Sequence, residues 1–292
     1  MKRNSLITSV SVAFAATLSV GFVNITPRVI YGEDNRVDVY QVQNPQVLEV
    51  ADSTAAMILN YDLVKDGKGF AKVRTVKFGQ NMNLCSDEPF YDQPTVANCS
   101  GSLVGEDLVA TAGHCISSSN CSVYSFVFGF RMIDEKNFSE MIPESEIYAC
   151  KEVIAREYSG AQDYALVRLD RPVINHRPLT LQKEPVQPGD AIYVVGHPSG
   201  LPTKVADGAT VRFQQGAYFQ ANLDTYGGNS GSPVFNAATH EVVGILVRGE
   251  TDFLYDSARK CTASNHCTDT NCRGEDVTNI SYISEALKKG AW

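Results

Sequence analysis

The sequence predicts an all-β protein with one short helix at its C-terminus, and three features predict it. From Ala55 onward, short apolar runs are separated by Gly, Pro, Asn and Asp, the pattern of many short strands joined by turns. Helical periodicity is nearly absent until the end of the chain, and no repeat at roughly 20–50 residues marks a solenoid. Of the 292 residues, 43% are hydrophobic and 20% charged, an ordinary globular mixture with enough apolar side chain for a large core.

Leu103-Val104 and Leu108-Val109-Ala110-Thr111-Ala112 straddle a turn at Gly105-Glu106-Asp107, and the β-branched and aromatic run Tyr124–Phe130 alternates in part. Tyr164–Leu169, Ala191–Gly196 and Glu241–Val247 continue the series into the second half. At the C-terminus, Ile280, Ile283 and Leu287 and the pair Glu285 and Lys289 fall at helical spacing, with Ser281 or Asn279 as cap.

Met1-Lys2-Arg3 precedes an apolar stretch from Leu6 to Val23, the layout of a signal peptide over residues 1–23. Ala13-Phe14-Ala15 offers a cleavage pattern, although the stretch is also long enough for an uncleaved anchor. Residues 24–54 are polar and turn-rich and read as a propeptide or N-terminal extension, with a cleavage junction after Arg28 in Arg28-Val29-Ile30-Tyr31-Gly32. Residues 55–292 read as one folded unit, since two-barrel β proteins of roughly 200–250 residues behave as single domains.

The net charge of −8 excludes nucleic acid as a partner, because phosphate contact needs clustered Lys and Arg. No later run reaches the ~20 apolar residues that span a bilayer, so no stable membrane association is expected after signal cleavage. Eight cysteines, an even number behind an export signal, imply disulfides and a secreted or periplasmic location.

Hydrolysis of an amide needs an activated nucleophile, a base, a group that orients the base, and donors for the oxyanion. Thr225-Tyr226-Gly227-Gly228-Asn229-Ser230-Gly231-Ser232-Pro233-Val234 places Ser230 in a glycine-rich turn, where the amides of Gly228 and Ser230 can converge as an oxyanion hole. A plain hairpin turn is the bland alternative. Thr111-Ala112-Gly113-His114-Cys115 follows a strand, and Cys99 lies sixteen residues before Cys115. A bridge between Cys99 and Cys115 would staple the loop of His114 to the neighbouring strand.

The histidine segment resembles the histidine box of the chymotrypsin/trypsin-like serine proteases, with the cysteine pair at that family's spacing. Gly228-Asn229-Ser230-Gly231 resembles its nucleophile box, and Gln162-Asp163-Tyr164-Ala165-Leu166-Val167-Arg168-Leu169 its aspartate segment. The order His, Asp, Ser separates the family from subtilisins and α/β-hydrolases. The resemblance covers about Ala55 to Val247 and implies two six-stranded antiparallel β-barrels. It implies Ser230 as nucleophile, His114 as base and Asp163 as the group that orients His114, acting on protein or peptide substrates without metal or cofactor. A monomer is the expectation.

The chain departs from the family in instructive places. Trypsin-like zymogens carry Asp just before the nucleophile, to pair with a new α-amino group; here Asn229 stands there and cannot form that ion pair. Gly228-Asn229-Ser230-Gly231-Ser232-Pro233 is similar to bacterial glutamyl endopeptidases (V8-like), which match Thr225 but carry a histidine where this chain has Leu246. Asp224, six residues before Ser230, has the spacing of a pocket-floor carboxylate that attracts Arg or Lys at P1.

Asp224, Thr225 and Leu246 are therefore the expected substrate-binding residues. Basic P1 is the leading expectation, glutamyl specificity the alternative, and a catalytically silent binding protein the rival of another class. Arg248 has either a pocket-rim role or that of an exposed strand end. His197, in Gly196-His197-Pro198, is the weaker candidate for the base. Cys261, Cys267 and Cys272 near His266 lack common zinc-finger spacings and read as disulfides, one needing a partner among Cys85, Cys121 and Cys150.

Overall fold

Strands buried on both faces read as continuous apolar runs, and Thr54–Leu59 is such a run, with its first five residues buried. It belongs to a closed barrel in the computed structural model, which describes residues 30–268 and 272–289. The expected signal peptide and the junction after Arg28 lie outside the described residues.

The barrel runs Tyr124–Val127, Ile147–Tyr158, Asp163–Leu169, Leu108–Thr111, Cys99–Gly105 and Thr54–Leu59, then returns to Tyr124–Val127, every pairing antiparallel. Leu103, Val109, Phe126 and Val167 fill it and are fully buried. Closure leaves no free edge for another chain to pair with.

A second antiparallel barrel follows the order Ala191–Gly196, Pro233–Asn236, Val242–Arg248, Glu275–Asn279, Tyr218–Ala221 and Lys204–Gln215, and closes by pairing the last strand with the first. Ile192, Phe219, Val234, Leu246 and Val277 form its core. The expected two six-stranded barrels are thus present. So is the expected C-terminal helix, Ser281–Lys289. Its Ile283 and Ala286 are buried, and Tyr282 stacks on Tyr164 of the first barrel at 5.6 Å.

Four disulfides join Cys85 to Cys261, Cys99 to Cys115, Cys121 to Cys150 and Cys267 to Cys272. The Cys261, Cys267, Cys272 group is thereby resolved, with Cys85 as its outside partner. Each bridge narrows the unfolded ensemble, by an amount that grows with the loop it closes. The Cys85–Cys261 bridge spans 176 residues.

Residues 30–54, set apart in the sequence, add structure to this frame. Ile30–Tyr31 pairs in parallel with His266–Cys267, and Arg36–Asp38 pairs with the Lys204–Gln215 strand. The amides of Tyr31 and Asn35 donate to the two carboxylate oxygens of Asp224, at 2.7 and 2.9 Å. Arg36 is buried, makes a two-pronged contact with Asp34, and lies 3.7 Å over the Tyr226 ring while donating to its hydroxyl at 2.7 Å. Buried Asp38 pairs with buried Lys204.

Burial pushes the Asp224 carboxyl up to about 6, although the amides of Asn35 and Tyr31 pull it back. The folded chain therefore binds this proton up to about pH 6, and the unfolded chain releases it near 3.8. Between those values the folded state holds more protons, so this group's contribution to stability is present at low pH and falls as pH rises. The unfolding free energy of the wild type, relative to Asp224→Asn, is expected to decline by about 2 kcal/mol between pH 4 and 7. Urea titrations of both proteins across that range check it; a flat difference refutes it.

Candidate active site

Asp163 opens a strand of the first barrel, and its neighbour strand Leu108–Thr111 leads directly into the loop of His114. One carboxylate oxygen of Asp163 accepts from the His114 backbone amide at 3.0 Å, and the other lies 2.7 Å from its Nδ1. A carboxylate only accepts, so Nδ1 carries the proton and Nε2 is left as the basic nitrogen. Asp163 is buried, whereas the His114 side chain is about a quarter exposed, at 27%.

Three further contacts hold this loop. The Cys99–Cys115 bridge ties it to the adjacent strand. Arg156 donates to the carbonyls of Gly113 and Ile116, both at 2.7 Å. From the second barrel, the Thr278 hydroxyl donates to the Asp163 carbonyl at 2.9 Å.

The glycine-rich turn expected around Ser230 sits where the two barrels meet. Asn229 N–H bonds back to Tyr226 O and Ser232 N–H to Asn229 O, each at 3.0 Å, which winds the turn tightly. Gly231 N–H donates to Leu246 O, and Ser100 N–H of the first barrel donates to Ser230 O, both at 2.8 Å. Ser230 O also lies 3.8 Å from Sγ of Cys115, the residue after His114.

Gly231 lies so close to the first barrel that a Cβ there would be 3.1 Å from Ala112 N. Gly228 has φ +89°, and a Cβ there would crowd Gly200 N at 3.0 Å, Ser199 N at 3.2 Å and His197 O at 3.3 Å. Glycine is what this backbone permits. Asn229 is buried, and its side-chain oxygen accepts from the Ser232 hydroxyl at 2.9 Å.

The expected substrate-binding residues do not gather on one surface. Asp224 directs both carboxylate oxygens to the amides of Tyr31 and Asn35, not toward a pocket. The reason is local: two backbone donors of the N-terminal segment must be satisfied at a buried position, and a carboxylate satisfies both. Leu246 is fully buried in the second barrel's core. The Thr225 hydroxyl donates to Oε2 of Glu275 at 2.8 Å.

Glu275 was not anticipated from sequence, and it is fully buried. Arg36, stacked on Tyr226 two residues before Gly228, was not anticipated either. The spacing signal available for it was weak: Arg36 follows Asp34, a two-residue salt-bridge step common on surfaces. Arg248 pairs with Asp276 at 2.8 Å.

His197 is fully buried, its Nδ1 is 3.0 Å from Leu201 O, and burial drives its pKa down to about 4. It is a neutral structural imidazole, and its weaker standing as a base agrees with that. Cys99, His114 and Cys115 bring their ligand atoms together, but both sulfurs are in a disulfide and offer no thiolate to a metal.

Known proteins resemble this chain in sequence and in fold. A glutamyl endopeptidase of Staphylococcus aureus (strain MRSA252) is 30% identical over 195 residues, 62% of this chain and 52% of that protein. The chain thus spans about half the length of the curated relatives it matches. A solved Glu endopeptidase superposes with TM-score 0.52 at 17% identity, over 90% of this chain and 100% of that one. The VesB protease of Vibrio cholerae gives 0.53 at 16%, over 90% and 68%. At those identities the two structures attest the fold. A model of the trypsin-like peptidase domain matches residues 99–245, the half of the sequence from the first barrel's Cys99 strand through the Ser230 turn, and the chain belongs to that family.

Proposed function

We propose that this chain is an exported serine endopeptidase in which Ser230 attacks the scissile carbonyl and His114 takes and returns the proton. The observation that carries the reading is the double contact of Asp163 with His114, at 3.0 Å to the backbone amide and 2.7 Å to Nδ1. It selects the tautomer whose Nε2 accepts a proton, and it stabilises the imidazolium formed on attack. The amides of Gly228 and Ser230 receive the negative oxygen of the tetrahedral intermediate. The acyl group passes to Ser230 Oγ, the amine leaves with the proton from His114, and water then releases the acid by the same route.

Export is supported by the apolar segment after Lys2-Arg3 and by the four disulfides. No helix among the described residues is long and apolar enough to cross a membrane. Cleavage after Arg28 would leave a chain beginning at Val29, one residue before the docked Ile30–Tyr31 strand.

The names of the staphylococcal relatives suggest a preference for glutamate. Side chains of this protein favour it less: Leu246 offers no imidazole and is buried, and the Arg248 guanidinium is paired with Asp276.

A fluorophosphonate probe is expected to label the wild type at Ser230 and not label Ser230→Ala. His114→Ala is expected to lose about 10⁴-fold or more in kcat. Equal labelling of wild type and Ser230→Ala would show that Ser230 is not the nucleophile, and absence of labelling in the wild type would show a binding protein with a protease fold.

Gly228→Ala tests the oxyanion role separately. The substitution strains a positive φ and crowds Ser199 and Gly200, so the Gly228 amide is displaced. Because that amide acts on charge present only in the transition state, kcat is expected to fall about 10²–10³-fold with a smaller change in KM. Steady-state kinetics on a peptide amide distinguishes this from a mainly KM effect, which would place Gly228 in ground-state binding instead.

A further inference from the structure

We infer that His176 is a proton-operated latch: charged, it holds the helix Pro45–Asp52 and the connection between the barrels against the first barrel, and loss of its proton as the pH rises releases them. The inference goes beyond the endopeptidase reading and does not depend on it.

His176 lies in residues 170–190, which run from the Asp163–Leu169 strand of the first barrel to the Ala191–Gly196 strand of the second. Its side chain is only 7% exposed, and both ring nitrogens face carboxylates. Nδ1 lies 2.8 Å from Oδ2 of Asp52, the last residue of the helix. Nε2 lies 2.6 Å from Oε2 of Glu146, in the turn that opens the Ile147–Tyr158 strand. A neutral imidazole has one N–H and one lone pair, whereas imidazolium donates from both nitrogens. With both carboxylates ionised, a neutral ring would point its lone pair at one of them, and the charged ring satisfies both. The ring also stacks on the fully buried Phe128, with centroids 4.5 Å apart, a favourable seat for a cation.

The surrounding charges leave this pairing intact. Arg131, in the loop after the Tyr124–Val127 strand, approaches Asp52 at 3.6 Å. Arg171 pairs with Asp170 and donates to the carbonyls of Glu144, Ser145 and Ile147. Asn175 donates to the other oxygen of Glu146 at 2.7 Å. Burial opposes the charge on His176, but its bonds to Asp52 and Glu146 outweigh that and raise its pKa above the usual imidazole value. The bond to His176 in turn holds the Asp52 carboxyl below the usual carboxylate range.

Little else fastens the helix. It has eight residues, fewer than the roughly 12–15 that an isolated helix needs in water. Ala51 is its one buried residue. A carboxylate at a helix C-terminus opposes the helix dipole, so Asp52 is placed for the histidine and not for the helix. Arg177 bonds Glu49 at 3.2 Å, but both side chains are mainly exposed, and such pairs hold weakly. Backbone bonds from Val173 N to Glu106 O and from Leu179 N to Leu103 O pin the connection on either side of His176. Release is therefore confined to the helix and the stretch between those bonds, which the Ser53 hydroxyl ties together through Arg177 O at 2.7 Å.

The folded chain keeps this proton to a higher pH than the unfolded chain, which loses it near pH 6.5. The stabilisation is complete below about pH 6.5 and is lost as the pH rises through the folded value. The test uses the full-length chain. Nitrogen-15 NMR of the histidine rings between about pH 5 and 9, with His176 assigned by its loss in His176→Gln, is expected to show a His176 midpoint above about 6.5. Glu146→Gln is expected to lower that midpoint. In urea titrations the folding constant of the wild type relative to His176→Gln is expected to be level below about pH 6 and to fall by up to about tenfold per pH unit above it. Hydrogen exchange should show the protection factors of the Leu48–Ser53 amides falling over the same range in the wild type and staying flat in His176→Gln.

A midpoint at or below about 6.5 overturns the inference, as does a relative folding constant that is level across the whole range. Protection that does not change with pH in the wild type overturns the release of the helix. Should His176→Gln fail to fold, the His176 signal is assigned by its shift in Glu146→Gln, and the wild-type midpoint and protection factors decide in the same way.

Discussion

The seam between the two barrels is the constraint on which the site depends. Ser230 belongs to one barrel and His114 to the other, so neither barrel alone can bring them together. Among the hydrogen bonds that cross the seam, Ser100 N–H donates to Ser230 O and the Thr278 hydroxyl to Asp163 O. Each anchors a chemical residue by its backbone, not by the side chain that would react, so the functional groups are positioned without being consumed. Close approach at Gly231 makes the same contact steric as well as polar. Interiors this dense do not deform gradually, and a bulkier residue at the seam would move Ser230 relative to His114.

The N-terminal segment acts on the same turn from the opposite side. Asp224 and Tyr226 both precede Gly228, and both are held by residues 31–36: Asp224 through two amides, Tyr226 through the stacked Arg36. In trypsin-like zymogens the corresponding link is an ion pair to the residue before the nucleophile, which Asn229 cannot make; here that residue is tied internally to Ser232. The docked segment thus braces the turn two to four residues upstream of Gly228. The arrangement keeps a carboxylate in a place where burial raises its pKa, a cost offset by its bonds to the buried Tyr31 amide and the part-buried Asn35 amide.

How legible this was in the sequence depended on how local each interaction is. The strands, the terminal helix and the segments around His114, Asp163 and Ser230 are contiguous patterns, and the barrels follow from the family those segments resemble. The Cys99–Cys115 bridge is sixteen residues long and was readable for the same reason. Asp224 misled because its spacing to Ser230 is a local cue, whereas its true partners lie 193 and 189 residues away. Glu275 was hidden differently. Glu275-Asp276 looks like a solvated strand end, but the alternation of a strand sends adjacent side chains to opposite faces, and here both faces are interior, with each acid fully buried.

That alternation keeps the acids of the Glu275–Asn279 strand apart from the His114–Asp163 pair. His114 and Asp163 sit in the first barrel, held by the Cys99–Cys115 bridge and Arg156, and none of their contacts involves Glu275. Thr225, Gly249 and Glu275 all belong to the second barrel, which also supplies the nucleophile turn. The turn that carries Ser230 begins at Thr225, and Thr225 is bonded to Glu275. The position of that turn is therefore coupled to a buried carboxylate of its own barrel, whereas Asp163 and His114 are held together within the other barrel.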